Sequence, residues 1–136
     1  MEPTDQILAL RERSQQLYRS GKYREAVEQL IGAWELLPMP RETAGFSNVL
    51  AGEIAISYLE DLHNYTEALR WAGILADCHK NKIDSGEGAF LKGKIYYEMQ
   101  QPERAKEQFS IALKKSEGRA FEGADKKYLE LLKIKE

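Results

Sequence analysis

Two histidines, one cysteine and a scatter of carboxylates are the residues with which this chain could do chemistry. His63 and Glu67 stand four apart, a spacing that shares one helical face and can begin a metal site. No further ligand continues the series, and polar surfaces produce such a pair by chance. Cys78 and His79 could serve as nucleophile and base. As sequence neighbours on a helix, however, they point in different directions, and activation needs a base within hydrogen-bond reach. Glu60 and Asp61 could divide acid and base work between them, but the simpler reading is a solvated helix end. A glycine-rich phosphate loop is absent from the sequence. The residues therefore predict a chain that is not an enzyme and holds no metal or cofactor. Its function must come from a surface.

The elements that would build such a surface are clearest between Gly86 and Ser116, GEGAFLKGKIYYEMQQPERAKEQFSIALKKS. This stretch reads as two antiparallel helices with a turn at Gln100-Gln101-Pro102. Pro102 suits a first helical position, where its missing N–H costs nothing, and Glu103 favours the positive end of the helix dipole. Ala105, Phe109 and Ala112 line one face of the second helix. Two of them are small, so the partner helix can come close, and Gly93 on that partner serves the same approach. The pattern recurs. Ala26, Leu30 and Ala33 repeat it after Tyr23, and Ala68, Ala72 and Leu75 repeat it after Tyr65. Ala26 and Ala68 are 42 residues apart, and Ala68 and Ala105 are 37 apart. Helical-hairpin repeats of the tetratricopeptide type recur every ~34 residues, so the connections here are longer. Gly21-Lys22-Tyr23-Arg24-Glu25-Ala26, its echo Asn64-Tyr65-Thr66-Glu67-Ala68, and Gly93-Lys94-Ile95-Tyr96-Tyr97 resemble the tetratricopeptide signature.

The expected fold class is all-α, a tetratricopeptide-like solenoid of three helical hairpins, about 5–37, 44–79 and 86–116. A capping helix over about 125–135 would close it, forming a single domain over 1–136. The first helix starts with Thr4 as cap and Asp5 near the dipole, and Gly21 ends it in the left-handed conformation. Pro38 and Pro40 stop the second helix. The third, about Ala44 to Asp61, is apolar nearly all round and should be buried at the centre. Asn64 and Glu67 match a capping box for the fourth. Trp34 is expected to pack against the following hairpin. Asp84 or Ser85 can cap the fifth helix, and a turn around Gly123-Ala124-Asp125 precedes the last. Lys126, Lys127, Lys133 and Lys135 should lie on that helix's solvated side.

Composition narrows the classes of partner. The chain has 136 residues, 43% hydrophobic and 31% charged, with net charge −2. An overall acidic balance gives no basic face for nucleic acid. No apolar run is long enough to span a membrane, and the polar start MEPTDQ lacks the features of a secretory signal. With Cys78 alone no intrachain disulfide can form, which is compatible with a cytoplasmic location.

In this architecture the first helix of each hairpin lines the concave face. The residues facing away from the small-residue stripes are Arg11, Gln15, Tyr18, Glu53, Ser57, Glu60, Phe90, Lys94, Tyr97 and Glu98. This mixture of aromatic and charged groups suits a protein partner. The competing reading is that Tyr18, Phe90 and Tyr97 are buried by neighbouring helices and the charges merely solvated.

Ala33-Trp34-Glu35-Leu36-Leu37-Pro38, with Pro40 and a long connection after it, resembles a group of short bacterial tetratricopeptide proteins. The closing residues Gly118, Phe121, Glu122, Asp125, Lys127, Tyr128 and Leu131-Leu132-Lys133 resemble a recurrent ending of the same group. The resemblance covers about the whole chain. Lys92 before Gly93, and Ile56 in place of a glycine, depart from the pattern. Members are often encoded beside polymorphic toxins of the Rhs or contact-dependent kind. The resemblance thus implies an immunity protein that binds and neutralises a toxin domain. The acidic Glu53, Glu60, Asp61 and Glu98 would suit a basic toxin such as a nuclease. A peptide-binding adaptor or secretion chaperone is the alternative. Its carboxylate-clamp form is disfavoured, because the groove continues from Arg11 and Gln15 to Ile54, Glu87 and Leu91.

Overall fold

The structure is a computed structural model that describes residues 3–79, 86–122 and 126–133. Among the described residues the chain is all-helical, with seven α-helices and two short 3-10 helices. These are α1 (Pro3–Arg19), α2 (Tyr23–Glu35), α3 (Ser47–Glu60), α4 (Tyr65–Cys78), α5 (Glu87–Glu98), α6 (Pro102–Ser116) and α7 (Lys126–Lys133). None of the described helices is long and apolar enough to cross a membrane. Contacts group the chain into two compact units, Met1–Cys78 and His79–Glu136.

In the first unit α1 packs on α2, α3 on α4, and α2 also meets α3. The small-residue stripes do what their spacing predicts. Ala26, Leu30 and Ala33 are buried, as are Ala68, Ala72 and Leu75. Trp34 of the first hairpin meets Trp71 of the second edge to face, with ring centroids 5.4 Å apart. Buried Ser14 donates its hydroxyl to the Ala26 carbonyl at 2.8 Å, tying α1 to α2. Gly21, at φ +78°, ends α1 as expected. Its N–H donates to the Tyr18 carbonyl at 3.0 Å and the Lys22 N–H to Leu17 at 2.9 Å. Together these satisfy carbonyls that the helix end would otherwise leave without partners.

The connection between the two hairpins departs from expectation. The third helix begins at Ser47 rather than Ala44, and a 3-10 helix, Arg41–Thr43, occupies the approach. Phe46 caps α3 from the left-handed region at φ +71°. The Ser47 hydroxyl donates back to the Glu42 carbonyl at 3.1 Å and fixes that entry. α1 starts at Pro3, one residue before the expected cap, and α2 stops at Glu35, two before Leu37. At α4 half of the capping box forms. The Glu67 N–H donates to Asn64 Oδ1 at 3.2 Å, while the Glu67 carboxylate takes Arg70 instead of returning to the cap.

In the second unit α5 packs on α6, and α6 on α7. Ala105, Phe109 and Ala112 are fully buried. A Cβ built on Gly93 would stand 2.5 Å from the Phe109 ring, so the two helices meet at a distance only glycine permits. Pro102 opens α6 as expected. The turn before it places Gln100 at φ +61°, with Gln101 N–H donating to Tyr96 at 2.9 Å. A second 3-10 helix, Arg119–Phe121, was not legible beforehand and delivers Phe121 to a cluster with Phe109 and Tyr128. Gly86 stands at the N-cap of α5. The expected cap residues Asp84 and Ser85 and the turn at Gly123-Ala124-Asp125 lie outside the described residues.

Candidate interaction surface

Two cross-helix contacts set the geometry of the first unit's outer face. Arg11 on α1 meets Glu53 on α3, and Tyr18 meets Asp61. The partners are 42 and 43 residues apart, so α1 and α3 run in the same direction, with Arg11 and Tyr18 each beside a residue about one hairpin later. The Arg11–Glu53 pair is bidentate: Nε donates to Oε1 at 3.0 Å and Nη2 to Oε2 at 2.5 Å. The bond to Glu53 holds the guanidinium charged more firmly than usual, against the smaller cost of its partial burial. This double fork fixes both side chains in one plane.

Between these contacts lies a groove of about 410 Å³ lined by Arg11, Ser14, Gln15, Tyr18, Arg19, Leu30, Glu53, Ile56, Ser57 and Asp61. Five of the six residues that sequence reasoning placed on this face of the first two hairpins, Arg11, Gln15, Tyr18, Glu53 and Ser57, share it. Glu60, the sixth, is exposed and does not line it. The groove's surroundings carry apolar surface. Leu8 is 43% exposed, Tyr18 47%, Val49 37% and Ile56 40%. α3 is therefore not buried all round. Its Leu50, Ile54, Ala55 and Leu59 face the core, while Val49 and Ile56 look out.

Asp61 closes the far end of the groove. Its carboxylate receives a long hydrogen bond from the Tyr18 hydroxyl at 3.4 Å. Burial pushes its carboxyl above the ordinary aspartate value. The Tyr18 hydroxyl opposes this, neighbouring Glu60 adds to it and His63 reduces it. Tyr18 responds in kind, its phenol raised chiefly by the negative charge of Asp61. The Tyr18 ring stands edge to face with Tyr23 at 5.1 Å.

The four candidates in the second unit are met by α7. Phe90 packs with Phe109, Phe121 and Tyr128, and Tyr97 lies edge to face on Tyr128 at 5.3 Å. Lys127 pairs with Glu98 at 3.5 Å and lies over the rings of Tyr97 and Tyr128. Lys94 lies over Phe90 and Tyr128. Lys127 thus does not simply point to solvent, as the amphipathic pattern suggested. Phe90 and Tyr97 are partly buried against the aromatic cluster, the competing reading for those two rings.

Of the residues considered for catalysis, Glu60, Asp61 and His63 lie close enough to act on one another's charge. Cys78 is buried. His79 Nε2 stands 3.5 Å from Glu87, and the Glu67 carboxylate is held by Arg70 rather than by His63. No group of three metal-ligating side chains occurs among the described residues. Sequence reasoning missed Ser14, Arg19, Leu30 and Ile56 as groove residues, and gave Asp61 only as one of the acidic groups suited to a basic partner. The signal was there in the repeat: adding the hairpin spacing to Tyr18 arrives at Glu60-Asp61. Compared with known proteins, the sequence matches no family model and no curated protein.

Proposed function

We propose that this chain is a non-catalytic protein-binding module of tetratricopeptide-type hairpins, and that it serves in the cytoplasm as an immunity protein against a toxin domain. The observation that carries the binding reading is the α1–α3 groove. It combines a bidentate ion pair with exposed Tyr18 and Ile56, and exposed Leu8 and Val49 stand on the same two helices. Apolar and aromatic groups around fixed polar ones are what protein interfaces use for area and register respectively. The parallel α1–α3 pairing at the repeat spacing supports tetratricopeptide-type stacking of the first two hairpins. The immunity role rests on the resemblance of the A-W-E-L-L-P segment and the chain ending. For an adaptor that grips a terminal carboxylate, Arg11 is a poor clamp, because Glu53 already occupies its fork.

The test is co-expression of the full chain with the product of the neighbouring reading frame. Rescued growth and a stable purified complex are expected, both weakened by Tyr18→Ala. Unchecked toxicity and no complex would refute the immunity role.

A further inference from the structure

We propose that the Asp61 end of the α1–α3 groove receives a basic side chain, arginine or lysine, from a polypeptide partner. The inference rests on the protein-binding reading and adds the chemistry of what enters. Asp61 is the carboxylate of the groove without an ion-pair partner among the described residues, and the charges that act on it are those of its neighbours Glu60 and His63. Arg11 and Glu53 cancel one another at bidentate geometry. No cationic side chain among the described residues stands within ion-pair distance of Asp61, whose hydrogen-bond partner is the Tyr18 hydroxyl at 3.4 Å. A carboxylate taken partly out of water without a cation is in a costly state, and an incoming ammonium or guanidinium relieves it.

The rest of the groove fits the rest of such a side chain. Leu30 and Ile56 give an apolar wall along which a methylene stem can lie. The Tyr18 ring, exposed beside the carboxylate, offers a π face to the cationic head. A carboxylate from the partner would instead meet the like charge of Asp61, with Arg11 already engaged by Glu53. Two groups oppose a cation there, Arg19 in the groove's lining and His63, whose charge when protonated acts on Asp61. Arg19 also lines the outer face of α1 with Leu8, Glu12 and Gln16, which places it at the rim of the groove.

The test is titration of the isotope-labelled full chain with N-acetyl-arginine methylamide, its lysine counterpart, its uncharged citrulline counterpart and N-acetyl-glutamate methylamide. The arginine and lysine probes should shift the amide signals of Tyr18, Ile56, Ser57 and Asp61 saturably. Citrulline should bind about tenfold more weakly or worse, the worth of a charge-assisted hydrogen bond. Asp61→Asn should lose the same factor, and Arg19→Gln should tighten binding. Equal binding of citrulline and arginine, indifference to Asp61→Asn, or no shift with either basic probe overturns the proposal. A groove that prefers the glutamate probe overturns it too, while leaving protein binding in place. Basic probes that seat in the groove of a chain with no affinity for the product of the neighbouring reading frame refute the immunity role alone.

Discussion

At the scale of single residues, Asp61 shows how a side chain can cost the fold something and still have a use. Burial raises its carboxyl pKa, so the folded chain holds a proton there more readily than the unfolded chain does. The contribution to stability is full below the ordinary value of 3.8 and is lost as pH rises through the folded-state value. Asp61→Asn removes this titration. Urea midpoints of the variant should therefore gain on the wild type as pH rises from acid to neutral. A constant difference at all pH values would show that burial imposes no such cost. Periodicity found Arg11, Gln15, Tyr18, Glu53 and Ser57 because one helical face is legible in spacing alone. That Arg11 and Glu53 hold each other was not legible. The pairing depends on the offset between hairpins, which is set by packing and not by either helix.

At the scale of elements, α5 and α6 meet where Gly93 leaves no room for a side chain. The Phe109 ring is fully buried and cannot yield to a Cβ built 2.5 Å away. Gly93→Ala should cost about 1–3 kcal/mol, the usual penalty for overpacking. Denaturant unfolding followed by circular dichroism measures it, and a neutral result would mean the hairpin can open without loss. The α5–α6 turn predicts the opposite sign. Gln100 is exposed and left-handed at φ +61°, a conformation that disfavours any residue with a Cβ. Gln100→Gly should raise stability by roughly 0.5–1 kcal/mol, and a lower melting temperature would contradict the strain. Small-residue stripes and proline starts made the hairpins readable from sequence. The approach to α3 was not readable, because a left-handed Phe46 and a serine bond to Glu42 are tertiary choices that no local preference announces. The engagement of Lys127 was hidden for a similar reason. An amphipathic pattern shows which side of a helix is polar, but not that an aromatic cluster with its own carboxylate will draw a lysine in.

At the scale of the whole molecule, the alternation of hairpins and the all-helical class were legible, since both follow from periodicity repeated along the chain. The division into Met1–Cys78 and His79–Glu136 was not, because it reflects how densely hairpins contact one another. The placement of the aromatic residues makes that division observable. Both indoles, Trp34 and Trp71, belong to the first unit, and they touch. The cluster in the second is built of phenylalanine and tyrosine. Tryptophan emission is thus a private signal of one half of the chain, whereas far-ultraviolet dichroism sees every helix. Thermal melts followed by both should coincide if the halves unfold as one cooperative body and separate if they do not, with no label attached and no residue changed.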